Sequence, residues 1–257
     1  MKTKIENSML VYDDNCPACS AYTSAFVKGG LLQKENRVAF SKVNMQQFKI
    51  DWQRAKNEIP LVDISTGEVK YGVEALAEIL SRKFSFIKQL MKNKWLNIFF
   101  HKLYKLISVN RKIIVGKNAT IGGNDCSPDY NYLYRWLFIA INYSLAAIFI
   151  FIALHAEDGT GFHDVAKNFL LYFLLITFLL VNFCGFKTVT DVHGHLSVMI
   201  LVSSFLFLFA AVIKKFLDLP LWCYRLLILI IVAAAIKELF RRHNYLSAVS
   251  SSETQDT

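Results

Sequence analysis

Apolar positions are scattered in short runs through the first third of the chain and gathered into long runs in its second half. Residues 9–12 form a short apolar run suited to a buried strand, and Asp13, Asp14 and Asn15 follow as turn residues. Asn15 fits a helix N-cap. Pro17 then falls near the first helical position, where its missing N–H costs nothing. Ala21, Tyr22, Ala25 and Phe26 fit one helical face, and Gly29 and Gly30 end it. Residues 38–43 alternate around Phe40 as a second strand. Residues 45–56 read as a polar helix with Phe48 and Trp52 four apart. A strand over 61–64, a turn at Ser65, Thr66 and Gly67, and a strand over 68–71 follow. After Gly72, the positions Val73, Leu76, Ala77 and Leu80 mark an amphipathic helix.

Residues 84–115 repeat apolar side chains at helical spacing with lysines and Arg111 between them. This predicts a basic amphipathic helix pair at a lipid surface, packed on the preceding domain, or both. Residues 116–131 read as a glycine-rich polar linker. Asn118, Ala119 and Thr120 match a glycosylation acceptor, which carries no meaning on a linker expected in the cytosol. Four runs, 136–154, 169–186, 196–213 and 221–236, approach the length that spans a bilayer once thin flanks are added. Asn142 and Asn182 are expected to make interhelical hydrogen bonds, and Arg225 to snorkel to headgroups. The expected divisions are 1–83 (α/β domain), 84–132 (interfacial helices and linker), 133–243 (membrane four-helix region) and 244–257 (disordered tail).

Composition agrees with that division. Hydrophobic residues make up 54% of the 257, too many for an average soluble domain. Much of the net charge of +9 lies between Lys83 and Arg135, just before the first long apolar run. That position favours anionic headgroups over nucleic acid as the basic region's partner. With Lys237, Arg241 and Arg242 after the last run, it predicts both termini on the cytoplasmic side of an inner or plasma membrane. Lys214 and Lys215 argue the other way. The N-terminal ten residues lack the apolar stretch of a secretory signal, so the first domain is expected in the cytoplasm.

Five cysteines are present, and two of them, Cys16 and Cys19, stand three apart at the predicted helix start. Cytosolic cysteines are normally reduced, so such a pair is more often redox-active or metal-binding than a structural staple. Backbone N–H groups at a helix start favour a thiolate at Cys16, and Cys19 lies one turn deeper, within reach to close a disulfide. Cys16 is therefore the expected nucleophile and Cys19 the resolving thiol. A complete zinc site would need two further ligands, and the soluble half offers one histidine, His101. Two inert core cysteines are the remaining alternative. Asp13 and Asp14 oppose a thiolate; Asp13 is expected either to accept the Cys19 proton as a partly buried acid or only to form the turn that caps the helix. In the membrane half, His193, His195 and Asp191 are weak metal candidates. No resident metal or cofactor is expected. Cys126, Cys184 and Cys223 are spectators or accessory thiols.

The predicted order, strand, helix with the cysteine pair, strand, helix, hairpin, helix, resembles a minimal thioredoxin-like domain. Such folds place a cis proline before the third strand, where this chain has Pro60, though the sequence leaves its isomer open. Tyr12, Asp13, Asp14, Asn15, Cys16, Pro17, Ala18 and Cys19 resemble the Tyr-Asp-Gly-x-Cys-Pro-x-Cys signature of the DCC family of predicted thiol–disulfide oxidoreductases. Asp14 replaces the family's glycine. Gly72 with Ala75, Leu76 and Leu80, and Tyr104, Lys105, Asn110 and Arg111, are similar to later family segments. The resemblance implies a thioredoxin-like fold and disulfide exchange.

The fold expected is thus an α/β thioredoxin-like domain followed by an all-α membrane bundle of about four helices. The expected function is a membrane-anchored thiol–disulfide oxidoreductase acting at Cys16 and Cys19, with Asp13 and Pro60 beside them. Its partners would be membrane lipid and a protein thiol substrate or thiol reductant, without nucleic acid; no oligomeric state is predicted. The competing reading is a non-enzymatic membrane scaffold or assembly factor that binds a metal or a partner.

Overall fold

The computed structural model describes residues 7–44, 46–116, 128–155, 186–217 and 220–253. The chain divides into two compact units, Met1–Tyr134 and Arg135–Thr257.

The first unit is built on a four-stranded mixed sheet in the order β2-β1-β3-β4. Strand β1 (Ser8–Tyr12) leads through α1 (Pro17–Lys28) to β2 (Arg37–Ala39), which lies parallel to it with Val11 opposite Val38. After α2 (Trp52–Asn57), β3 (Pro60–Asp63) pairs antiparallel with β1, Met9 opposite Val62. Then β4 (Val69–Tyr71) pairs antiparallel with β3, Pro60 opposite Tyr71. Helix α3 (Gly72–Leu80) follows directly. This is the element order that the sequence predicts.

The two-residue period of a strand assigns successive side chains to opposite faces. Met9 and Val11 pack with Phe40, Ile50, Ala55, Val62 and Tyr71. Leu10 packs on the other face with Leu31, Leu32, Ile59, Leu61, Ala75 and Ile79. Both faces of β1 are therefore buried, which is why 9–12 reads as an uninterrupted apolar run.

Two local expectations fail for identifiable reasons. The expected strand over 38–43 stops early: β2 ends at Ala39 and a 3-10 turn covers Phe40–Lys42. There the Asp14 carboxylate accepts from the Ser41 hydroxyl (2.7 Å) and N–H (3.3 Å) while Phe40 packs on Trp52. The expected helix over 45–56 shrinks to α2. Asn44 Oδ1 accepts from the N–H groups of Gln46 and Gln47, and Lys49 takes φ 52°, outside helical space. Asp51 then caps the short helix by accepting from Arg54 N–H at 3.1 Å.

Helices α4 (Phe86–Lys92) and α5 (Lys94–Val115) belong to the same unit. Helix α5 touches α1, α2, α3 and α4. Tyr104, Ser108 and Arg111 fall on one side of it by spacing and hold the α/β layer. The Tyr104 hydroxyl accepts from Ile59 N–H (2.9 Å), Ser108 Oγ donates to the Asn57 carbonyl, and Arg111 Nη2 donates to the Lys56 carbonyl (3.0 Å). Gly72 adopts φ 55°, and a Cβ there would stand 3.2 Å from the Tyr104 ring.

The second unit holds most of α6 (Tyr132–His155), with α7 (Phe186–Leu217) and α8 (Leu221–Glu253). Among the described residues, two helices are long and apolar enough to cross a membrane, Tyr132–Ala153 and Val189–Leu217. Two of the expected four are thus found among the described residues. The run over 169–186 lies outside the described residues apart from Phe186. The run over 221–236 is helical, but its uncharged stretch is confined between Arg225 and Lys237, too short to span unaided. The expected interhelical role of Asn142 is met: its amide donates to Ser197 Oγ at 3.1 Å, linking α6 to α7. Asn182 lies outside the described residues. Helix α8 continues to Glu253, into the segment expected to be disordered, because no proline or glycine interrupts it there.

Candidate active site

The chain leaves β1 at its C-terminal end, where the connections to β2 and β3 part to opposite sides. Open α/β sheets place their sites at such a point. Asp13, Asp14 and Asn15 make the turn: Cys16 N–H donates to the Asp13 carbonyl (3.2 Å), and Asn15 N–H to Asp13 Oδ1 (3.0 Å). The N-cap of α1 is Cys16, not the expected Asn15. Its Sγ accepts from Cys19 N–H at 3.4 Å, and Pro17 holds the first helical position. The thiol itself performs the capping that a hydroxyl or carboxylate usually performs.

Both thiols are free and buried. The hydrogen bond from the Cys19 thiol holds Cys16 down at a pKa of about 6, against the opposing effect of burial. The Cys19 N–H and the Arg111 cation help, and Asp13 works against them. The same hydrogen bond, with burial, pushes Cys19 far up, so the pair shares one proton, held by Cys19. Such a division gives one anionic sulfur and one proton-bearing sulfur within a single turn of helix.

The two aspartates point to different tasks. Asp14 reaches outward to Ser41. Its backbone is not in the left-handed region, so replacing glycine there brings no strain. Asp13 turns inward. Its Oδ2 lies 3.3 Å from Arg111 Nη2, and the two side chains are only 12% and 14% exposed. Burial raises the Asp13 carboxyl and Arg111 lowers it, with burial the larger effect. Ligand atoms of Asp13, Cys16 and Cys19 all lie within 4.8 Å of one another. That set offers a cation two sulfurs and one oxygen, one short of a closed tetrahedral zinc site.

Pro60 is fully buried at the head of β3, and its peptide bond is trans. It follows Ile59, the residue bound by Tyr104. Burial pushes the Tyr104 hydroxyl up to about 12, so it stays neutral and accepts the Ile59 N–H.

Four residues of the site's surroundings have no individual signal in the sequence. Arg37 on β2 stacks on Tyr12 (3.7 Å) and donates to Thr23 Oγ1 (2.9 Å) and the Ser20 carbonyl (3.1 Å). Thr23, fully buried, donates to the Cys19 carbonyl at 2.7 Å. These bonds fix the turn of α1 that carries Cys19. Tyr104 and Arg111 occur in a segment of family resemblance, which says nothing of their place beside the cysteine pair.

The weak metal candidates of the second unit are not brought together as a ligand cluster among the described residues. Asp191 pairs with Arg135 (3.5 Å), His195 Nδ1 lies 2.8 Å from Arg242 Nη1, and His193 Nδ1 lies 3.3 Å from the Tyr143 hydroxyl. Cys223 is a free, half-buried thiol. Cys126 and Cys184 lie outside the described residues.

No curated protein and no solved structure matches this chain. Residues 10–117, somewhat less than half of the chain, match the family of DCC1-like thiol-disulfide oxidoreductases. The match begins in β1 and ends just past α5, so it takes in the cysteine pair together with Arg111 and the helix that carries it.

Proposed function

We propose that this protein is a membrane-anchored thiol–disulfide oxidoreductase whose first unit works on the cytoplasmic side. The observation that carries the reading is the pair itself: Cys16 Sγ caps α1 by accepting from Cys19 N–H, with the Cys19 thiol one turn along. The Cys16 thiolate attacks a protein disulfide, forming a mixed disulfide and releasing one substrate thiolate. Cys19 then loses its proton and attacks Cys16 Sγ. The Cys16–Cys19 disulfide forms, the second substrate thiolate leaves, and two electrons have passed to the substrate. Asp13 is the group placed to take the Cys19 proton, and the second substrate thiolate is the final proton acceptor. Arg111 positions Asp13 and holds negative charge at the site without touching substrate. Run in reverse, the same steps oxidise a substrate dithiol, with the ambient redox potential setting the direction.

The two apolar helices support anchoring in a membrane. The basic residues between Lys83 and Arg135, and those after α8 begins its charged half, support the cytoplasmic side. The test is trapping. In the full chain, Cys19→Ser should accumulate a mixed disulfide with protein substrates that reductant releases, and Cys16→Ser should not. An impermeant maleimide applied to sealed vesicles of known orientation tests the side on which Cys16 lies.

The close grouping of Asp13, Cys16 and Cys19 favours one second reading, a partner- or metal-binding scaffold. Undiminished cellular function in a Cys16→Ser/Cys19→Ser variant would distinguish partner binding from exchange.

A further inference from the structure

Helix α5 carries one apolar stripe with two different fates. Trp95, Ile98, Phe99, Leu103, Leu106, Val109 and Ile113 follow one another at helical spacing. Leu106, Val109 and Ile113 are buried. Trp95 is 81% exposed, Phe99 56%, and Phe86 on α4 63%, with Ile98 and Leu103 also open. Single exposed apolar residues are ordinary, but a continuous open face with a tryptophan at its head marks an interaction surface.

The charge around this face selects its partner. The chain has no Asp or Glu between Glu78 and Asp125, and Lys88, Lys92, Lys94 and Lys102 are all exposed there. A protein-facing surface usually sheds lysine at its centre and mixes charge signs at its rim. An indole at a helix start, aromatic and aliphatic neighbours, and lysines with no carboxylates are the composition of a helix lying in an anionic bilayer surface. We infer that the outer face of α4 and the first half of α5 docks on anionic lipid headgroups.

Tyr104, Ser108 and Arg111 come off the opposite side of α5 and hold the α/β layer. Docking therefore fixes the first unit through the same helix that walls the cysteine pair. The inference stands on exposure and charge and does not depend on the redox reading.

The experiment uses the full chain in vesicles of phosphatidylcholine, with or without phosphatidylglycerol. Phe replaces Trp52, Trp136 and Trp222, leaving Trp95 as the reporter. In phosphatidylglycerol vesicles Trp95 should shift to the blue and be quenched by brominated lipid several-fold more than in phosphatidylcholine alone. Replacing Lys88, Lys92, Lys94 and Lys102 by Gln should weaken this docking, each change by about fivefold. Amide hydrogen exchange over 94–103 in the unaltered tryptophan background gives a second readout and should slow with phosphatidylglycerol. A Trp95 that stays open to aqueous quencher in both lipids overturns the inference. So does a Trp95 that is shielded yet unquenched by brominated lipid, since protein then covers the face. The rate of Cys16 alkylation reports independently that the fold of the lysine variants is intact.

Discussion

Arg111 and Asp13 stand almost a hundred positions apart in the chain and 3.3 Å apart in the fold. The Nη2 that faces Asp13 also donates to the Lys56 carbonyl, so the charge is fixed against the turn that presents Cys16. It favours the anionic form of Asp13, Cys16 and Cys19 alike. Replacing it by Gln should therefore raise the pH at which Cys16 becomes reactive. Arg111→Lys should recover part of the effect, because the charge returns without the forked geometry. The pH dependence of iodoacetamide labelling measures both. The Gln variant should also lose about 1–3 kcal/mol of stability, since it leaves a largely buried carboxyl without its cation.

In the unaltered chain, labelling of Cys16 should be half-maximal near pH 6, where an ordinary thiol would need about pH 8.5. The same depression links stability to pH. A lowered folded-state pKa stabilises the reduced fold in full above the unfolded value, and that gain is lost as pH falls through about 6. The thermal midpoint of the reduced, detergent-solubilised chain should therefore exceed that of Cys16→Ser by more at pH 9 than at pH 6. A difference independent of pH would contradict a thiolate cap.

Asp13→Asn separates the two halves of exchange. Removing the carboxylate lifts an opposing charge from Cys16, so the first attack should proceed at an equal or greater rate at pH 6. Resolution by Cys19 loses its proton acceptor and should slow about 10- to 100-fold. Stopped-flow detection of mixed-disulfide decay measures this, and equal slowing of both steps would remove Asp13 from the proposed role.

Tyr104 and Gly72 test how the floor of the site is held. Tyr104→Phe strands the Ile59 N–H and should cost about 1–3 kcal/mol. Gly72→Ala meets two objections at once, a φ of 55° and a Cβ 3.2 Å from the Tyr104 ring, and should cost about as much. Thermal unfolding of each variant supplies the check.

Local chemistry made much of the first unit legible. Residues 9–12 announce a strand buried on both faces, Pro17 and Gly29 bracket α1, and Gly72 sits at the joint of β4 and α3. The expected helix over 45–56 fails because a repeat of Phe48 and Trp52 says nothing about the left-handed step at Lys49 between them. Asn15 is a better capping residue than cysteine by preference, yet the turn around the Asp13 carboxylate moves the cap one residue on. The Arg111 pairing has no local signature at all. It arises from tertiary packing of α5, which periodicity reveals as a helix but not as a neighbour of the turn between β1 and α1. In the second unit, hydropathy identifies apolar stretches readily. The last run is helical, but Arg225 and Lys237 limit its uncharged part.

The cap made by Cys16 has a consequence for the backbone. A reduced site gives the Cys19 amide an anionic sulfur to donate to. Closing the disulfide turns that sulfur into a neutral bridge, and the first turn of α1 loses the charge that its dipole favours. Under the proposed exchange, each round would loosen and retighten the start of one helix. The oxidation state of the protein is written into an amide proton as well as into a bond between sulfurs.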